Sequence, residues 1–386
     1  MIVGLECFEV FDHIDVMKHC VEWLRALERP RILSKGDSYL DSVPISVTAS
    51  RCERSAGGVN DFYSEGDYWW PNPEDADGPF VRRDGETYPG LFVAHRETMV
   101  RLSEIVGTMA SAFLLTGDEA YASVAVEHLR AWFVVEKTRM NPSLLYGQAI
   151  RGISTGRSIG LIDTLHLIEV ARGAKVLAGA NCFSKEDQGS VMDWFRTYLK
   201  WMNEHPYGQE ERVHPNNHGV CWSLQAAVFG DLVGDAAQVA WVREQFKTVY
   251  LGEMMGTRGG FPEELARTKP YGYSLFVVDA MAGIAQVVST AADDLWSYCT
   301  ADGRGMRLGA SFIAPFVRDK SSWPLAPDVL HWDDWPVRQP ILLLGGLALG
   351  EQSYIDLWEG LEADPKVFEV LRNLPIRHPL LWVGLD

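Results

Sequence analysis

The sequence predicts an all-α protein folded as an α/α toroid, an incomplete (α/α)5–6 barrel of helical hairpins. Three observations predict it. Apolar residues recur at three- and four-residue intervals over most of the 386 residues, strand-like alternation is scarce, and turn signals return with a period near sixty.

The helical pattern covers 13–28, 95–115, 119–136, 157–172, 185–204, 218–232, 236–249, 274–289 and 339–349. Between such segments lie Thr116-Gly117-Asp118, Arg172-Gly173-Ala174, Val233-Gly234-Asp235, Thr290-Ala291-Ala292-Asp293 and Leu349-Gly350-Glu351. Positions 117, 173, 234, 291 and 350 are 56, 61, 57 and 59 residues apart, enough for two helices and a functional loop. Gly-Asp is also an ordinary helix stop-and-start signal, so the repeat alone does not decide the fold. Two stretches break the pattern. Residues 29–94 are rich in Pro, Gly, Asp and aromatics, and residues 300–337 contain His331-Trp332-Asp333-Asp334-Trp335. Long excursions of this kind in compact domains usually carry function, so 29–94 is expected to line a substrate cleft. No linker or low-complexity tract divides the chain, which reads as one domain, 1–386.

Hydrophobic residues make up 47% and charged residues 23%, the composition of a globular core. The net charge of -17 argues against a nucleic-acid partner. It still permits an anionic ligand if a few cations dominate one cleft, so a small cationic patch inside an acidic shell is expected. Cys7, Cys20, Cys52, Cys182, Cys221 and Cys299 are scattered without a C-x-x-C pair, which suits neither a disulfide framework nor a cysteine metal site. The first ten residues show no basic region followed by an apolar run, so no signal peptide is read. No uncharged apolar run reaches the ~18 residues of a membrane span. A cytoplasmic monomer or homodimer without a membrane partner is expected, periplasmic or secreted if a leader has been removed.

Chemistry concentrates in two short segments, His214-Pro215-Asn216-Asn217-His218-Gly219 and Glu264-Leu265-Ala266-Arg267-Thr268-Lys269-Pro270-Tyr271-Gly272-Tyr273. They combine an amide, an imidazole, a guanidinium and a phenol. These groups suit removal of the weakly acidic hydrogen beside a sugar carboxylate: Asn217, His218 and Arg267 neutralise the developing charge, and Tyr273 moves the proton. A phenol near pKa ~10 needs help from cations, which Arg267 and His218 are expected to give. Tyr271 competes for that role. Asn217 and His218 are also good helix-start chemistry, and Tyr273 reads equally as a residue preceding a helix near Ser274. His214 and His218 are four apart, but Pro215 separates them and no His-Glu-x-x-His pattern is present, so neither a metal nor a cofactor is expected. Asp67-Tyr68-Trp69-Trp70-Pro71-Asn72-Pro73 holds adjacent aromatics on a proline-fixed loop, a surface for stacking on sugar. Gly152-Ile153-Ser154-Thr155-Gly156-Arg157 lacks the strand and the Lys-Ser/Thr ending of a phosphate loop, and leaves Arg151 or Arg157 as a cleft cation.

Taken together, Tyr68-Trp69-Trp70-Pro71-Asn72-Pro73, Arg82-Arg83-Asp84-Gly85-Glu86, Gly156-Arg157-Ser158-Ile159-Gly160-Leu161-Ile162-Asp163, Asn216-Asn217-His218-Gly219 and Glu264-Leu265-Ala266-Arg267-Thr268 resemble, in order, the alginate lyase-like superfamily of polysaccharide lyases. The Arg-x5-Tyr spacing is closer to polysaccharide lyase family 38 than to family 5. The resemblance implies an α/α toroid that cleaves a 1,4-linked polyuronate (alginate, polymannuronate or glucuronan) by metal-independent β-elimination, leaving 4,5-unsaturated ends. It implies Asn217, His218 and Arg267 on the carboxylate and Tyr273 as proton carrier. Tyr68, Trp69, Trp70, Arg157, Tyr271 and Glu264 are the substrate-binding candidates. Two rivals are an α/α-toroid glycoside hydrolase, drawing two carboxylates from Asp67, Asp163, Glu263, Glu264, Asp333 and Asp334, and a non-catalytic sugar-binding helical-repeat protein.

Overall fold

The computed structural model describes residues 13–384. Cys7 and the N-terminal segment read for a leader lie outside these residues.

Helices α1 (His13–Tyr39), α2 (Ala94–Thr116), α3 (Glu119–Leu129), α4 (Leu167–Leu177), α5 (Lys185–Glu204), α6 (Pro206–Arg212), α7 (Asn217–Val233) and α8 (Ala236–Gln245) occupy the first two thirds. They are followed by α9 (Pro262–Leu265), α10 (Pro270–Val288), α11 (Met306–Arg318), α12 (Pro340–Leu349), α13 (Gln352–Glu359) and α14 (Phe368–Arg372). An inner row runs α2–α4–α7–α10–α12, each packed on the next, while α1, α3, α5, α8, α11 and α13 lie outside it. The division follows composition. Residues 219–230 of α7 and 270–285 of α10 are buried on every side, the state of a helix that is apolar all round. Outer helices bury one stripe, as α5 does with Val191, Trp194, Phe195, Tyr198, Leu199 and Met202. This is the α/α toroid expected.

Helices α2 and α10 are long and apolar enough to cross a membrane, but both are mostly buried inside the protein. Asp279 in the middle of α10 is fully buried, and its carboxylate accepts from the Ile341 backbone N–H at 2.9 Å at the start of α12. The one acid in that helix thus satisfies a helix-end donor.

Three repeat positions work as predicted. Gly117, Gly234 and Gly350 end α2, α7 and α12 with φ of 70°, 75° and 69°, where a β-carbon is strained. Asp118 and Asp235 then cap the next helix, accepting from the backbone N–H of Ala120 and Gln238. Position 173 differs. Gly173 sits inside α4, where a β-carbon would come within 2.9 Å of Val106, so it serves close approach of α2 and α4. The chain turns only after α4, and Ser184 caps α5. Position 291 lies in the short turn closed by Thr290 and Asp293, ahead of an excursion to α11.

Other boundaries also move. Helix α1 continues through Pro30 to Tyr39, so the irregular stretch begins at 40 and not at 29. Residues 158–164 form a 3₁₀ segment ahead of α4, because Gly156 and Gly160 press backbone to backbone on Leu145 and Gly147. The stretch 300–337 contains α11, which buries Met306, Gly309, Ala310, Ile313, Ala314 and Val317 at helical spacing. Helix α10 starts at Pro270, a favourable first helical residue, so Tyr273 lies in its first turn. Within 40–94, β1 (Tyr63–Glu65) pairs in parallel with a later strand at Tyr146–Ala149, and β2 (Trp69–Trp70) pairs antiparallel with β3 (Val81–Arg82).

Gly234→Ala forces a β-carbon onto positive φ, and Asp235→Ala removes a cap. Each is expected to cost about 1 kcal/mol, read as a lower urea midpoint. Unchanged midpoints would refute the role given to this turn.

Candidate active site

The site is built where the first turns of α7 and α10 meet. Asn216 caps α7, its side-chain oxygen accepting from the His218 backbone N–H at 3.1 Å. That places Asn217 and His218 in the first turn. Asn217 is buried, and its backbone N–H donates to Glu264 Oε1 at 2.6 Å. Its Nδ2 donates to both Glu264 oxygens at 2.9 Å. Glu264, from α9, is 0% exposed. Burial pushes its carboxyl upward, against the lowering by the Asn217 hydrogen bonds, Arg267 and His218. His218 Nδ1 lies 2.6 Å from Glu211 Oε1 on α6.

The link from α9 to α10 carries Arg267. Its guanidinium forks onto Asp84, with Nε donating to Oδ2 at 3.1 Å and Nη2 to Oδ1 at 3.0 Å. Nη2 also donates to Tyr273 Oη at 3.3 Å, and the guanidinium carbon lies 4.4 Å from the Tyr273 ring centroid. Burial works against the charge of Asp84, but Arg267, Arg82 and Thr268 outweigh it and hold the carboxyl at about 2. The Tyr273 hydroxyl also meets the Tyr68 hydroxyl at 2.5 Å. Tyr273 is 8% exposed, and burial pushes its phenol up to about 12. Arg267, the Tyr68 hydrogen bond and Arg372 oppose that rise. The expected lowering by Arg267 and His218 is therefore corrected: burial outweighs the cations, and those acting on the phenol are Arg267 and Arg372.

Tyr68 is held from behind by alternating charges. Asp163 accepts from Arg96 Nε at 2.9 Å, and Arg96 also bonds Asp67. Asp67 accepts from Arg372 Nη1 at 2.7 Å, Arg372 lies 3.6 Å from Glu369, and Glu369 accepts from Lys269 at 2.8 Å. Lys269 Nζ lies 5.4 Å from the Tyr68 ring. Two of the carboxylates offered for hydrolysis, Asp67 and Asp163, are thus buried and bridged by Arg96 rather than facing a bond.

Arg157 donates to the Gln148 backbone oxygen and to Gln148 Oε1, both at 2.9 Å, and makes no salt bridge among the described residues. Burial lowers it to about 10. It lies 5.8 Å from the Trp69 ring, across Gly66, where a β-carbon would come within 2.8 Å of it. Trp70 is half-buried beside Tyr88 and under Arg83.

Two assignments are corrected. Tyr271 is 0% exposed; its hydroxyl donates to the Phe316 backbone oxygen at 3.1 Å among Trp323 and Trp332, away from Arg267. Residues two apart in a helix do not share a face. Glu264 is closed off from any sugar and serves Asn217 instead. In this arrangement the Asn217 amide nitrogen faces both Glu264 oxygens. Glu211, Asp84 and the Lys269–Glu369–Arg372 relay were missed. Asp84 was visible as a carboxylate beside Arg82 and Arg83, whereas Glu211 needed the unrecognised helix α6.

A family model for alginate lyases matches residues 46–323. An alginate lyase structure from Bacteroides ovatus is 27% identical, with a TM-score of 0.82, covering 96% of this chain and 97% of that one. Alginate lyase A1-III from Sphingomonas species A1 is 14% identical with a TM-score of 0.54, covering 91% and 94%, a likeness of fold. A variant of A1-III complexed with a tetrasaccharide gives 13% identity and a TM-score of 0.55, covering 91% and 93%. No curated protein matches the chain. With most of its length matched by the family model, the chain belongs to the alginate lyase family and is a polysaccharide lyase.

Proposed function

We propose that the enzyme cleaves 1,4-linked polyuronate, mannuronate-containing alginate first and glucuronan as the alternative, with side chains alone neutralising the uronate carboxylate. The contact of Tyr273 Oη with Arg267 at 3.3 Å carries the reading, because it sets a phenol against a guanidinium in the first turn of an inner helix. Arg267, His218 and Arg157 hold the carboxylate. Ionised Tyr273 takes the C5 proton, the C–H electron pair becomes the C4=C5 double bond, and the C4–O4 bond breaks. Tyr273 returns the proton to the leaving O4. Asn217, fastened to Glu264 by its backbone N–H and its side-chain Nδ2, fixes the first turn that carries His218. The alginate lyase named for Bacteroides ovatus supports the substrate class, and the tetrasaccharide complex of A1-III supports an extended sugar ligand.

Purified protein mixed with alginate, polymannuronate or glucuronan is expected to give the ultraviolet absorbance of a conjugated uronate. Reducing ends without that absorbance would mean hydrolysis and overturn the reading. Tyr273→Phe is expected to lose about a thousandfold or more in kcat, on the order of a lost acid–base group, while Tyr271→Phe keeps turnover within about threefold because its hydroxyl faces Phe316. Equal losses in the two would contradict the assignment.

The pH dependence has a definite sign. A phenol raised to about 12 is mostly neutral at neutral pH, so activity rises toward alkaline pH as the base form grows. Arg267 lowers this phenol, so Arg267→Ala should push the ascending limb of kcat/KM to higher pH. A limb that stays in place, or moves down, would refute the role. Activity is also expected to survive exhaustive chelation; its loss, restored by a divalent ion, would refute neutralisation by side chains alone.

A further inference from the structure

Glu211 occupies a costly position. It is 1% exposed, its Oε1 has one hydrogen-bond partner, His218 Nδ1 at 2.6 Å, and its Oε2 is buried without a partner. The neighbouring cation does not help. Arg212 turns the other way, 5.8 Å from the Trp222 ring and 5.2 Å from the Trp241 ring. A buried carboxylate with one bond and an idle oxygen costs stability, and an amide or an aliphatic side chain would fill the space at lower cost. Nothing in the packing of α6 calls for the charge.

The other side of the pair shows what the charge does. His218 Nε2 has no protein partner among the described residues, and the ring is partly open to solvent. His214 lies against it with ring centroids 5.1 Å apart, and burial lowers His214. The ring is therefore held at Nδ1 by Glu211 and on one face by His214, leaving Nε2 as its free end.

We infer that Glu211 is a positioning residue for the elimination: it accepts the Nδ1–H of His218 and so fixes Nε2 as the nitrogen presented to the uronate carboxylate. Without Glu211 the proton can sit on either nitrogen and the ring can turn. A neutral ring with its proton on Nδ1 would aim the Nε2 lone pair at the substrate's negative charge, so the role requires a second proton on Nε2. With Glu211 in place, a ring donating from Nε2 as well carries a positive charge that Glu211 balances. This inference rests on the lyase reading above, with His218 on the carboxylate.

The test uses Glu211→Gln and Glu211→Leu in the full chain, measured three ways. On polyuronate, kcat is expected to fall about ten- to a hundredfold, the usual effect of losing a partner behind a functional histidine. KM should stay within about threefold, and the thermal midpoint should be unchanged or higher, because an unsatisfied buried carboxylate has gone. A merely structural Glu211 would instead lower the midpoint. With ¹⁵N-histidine labelling, and Glu211→Leu and His218→Gln to assign the ring, wild type should show a protonated Nδ1 that Glu211→Leu loses. Unchanged kcat, or a loss that tracks a falling midpoint, would overturn the inference, as would a wild-type ring protonated only at Nε2. Should wild type turn over no polyuronate at all, the lyase reading fails, and the ring signature still decides whether Glu211 sets the tautomer.

Discussion

The buried carboxylate of Glu264 joins the two inner helices whose first turns make the site. It accepts from the backbone and side chain of Asn217 at the head of α7, and it belongs to the short helix that leads through Arg267 into α10. Packing of α7 on α10 sets the distance between the two helices, and the clamp fixes how their first turns, with His218 and Tyr273, face each other. Both residues depend on helix starts with local causes: the Asn216 cap in one, Pro270 at the first position in the other. Burial makes the clamp strong, since a carboxylate taking hydrogen bonds from two nitrogens in a dry interior has no competing water.

Charge is organised around this clamp in a consistent way. The chain carries a net charge of -17, yet the site collects Arg267, Lys269, Arg372 and Arg157. Most of these cations are held by acids rather than left free: the half-buried Asp84 for Arg267, and the buried Glu369 for Lys269 and Asp67 for Arg372. Such pairing fixes each head group at little net electrostatic gain, because desolvation offsets much of the attraction. What it supplies is position. Tyr68 and Tyr273 meet at 2.5 Å because the loop carrying Tyr68 is tied through Asp67 to α2 and α14 at once.

Much of this was legible in the sequence. The inner helices show as long apolar segments, and the Gly-Asp turns at 117 and 234 do close helical hairpins with a left-handed glycine and an aspartate cap. The pairing of Arg267 with Tyr273 follows from their spacing across a helix start. Other features were hidden for physical reasons. Gly173 carries a turn signal but serves a close helix crossing, which depends on Val106, far away in sequence. Tyr271 and Tyr273 look interchangeable as letters, and only the start of α10 at Pro270 sends one to the core and the other to the site. The direction of the Tyr273 shift was misread because burial, a property of the whole fold, outweighs the nearby cations. Glu264 looked like a sugar ligand since its burial could not be read from its neighbours.

The central claim is that the phenol of Tyr273, backed by Arg267, faces the carbon that loses its proton. The most direct measurement is a crystal structure of the Tyr273→Phe variant with a bound oligouronide. The ring edge at position 273 is expected within roughly 3.5 Å of C5, a reactive approach distance, with the adjoining carboxylate on Arg267 and on the Nε2 side of His218. An oligouronide bound with C5 turned away from that ring, or with its carboxylate out of reach of both cationic partners, would contradict it.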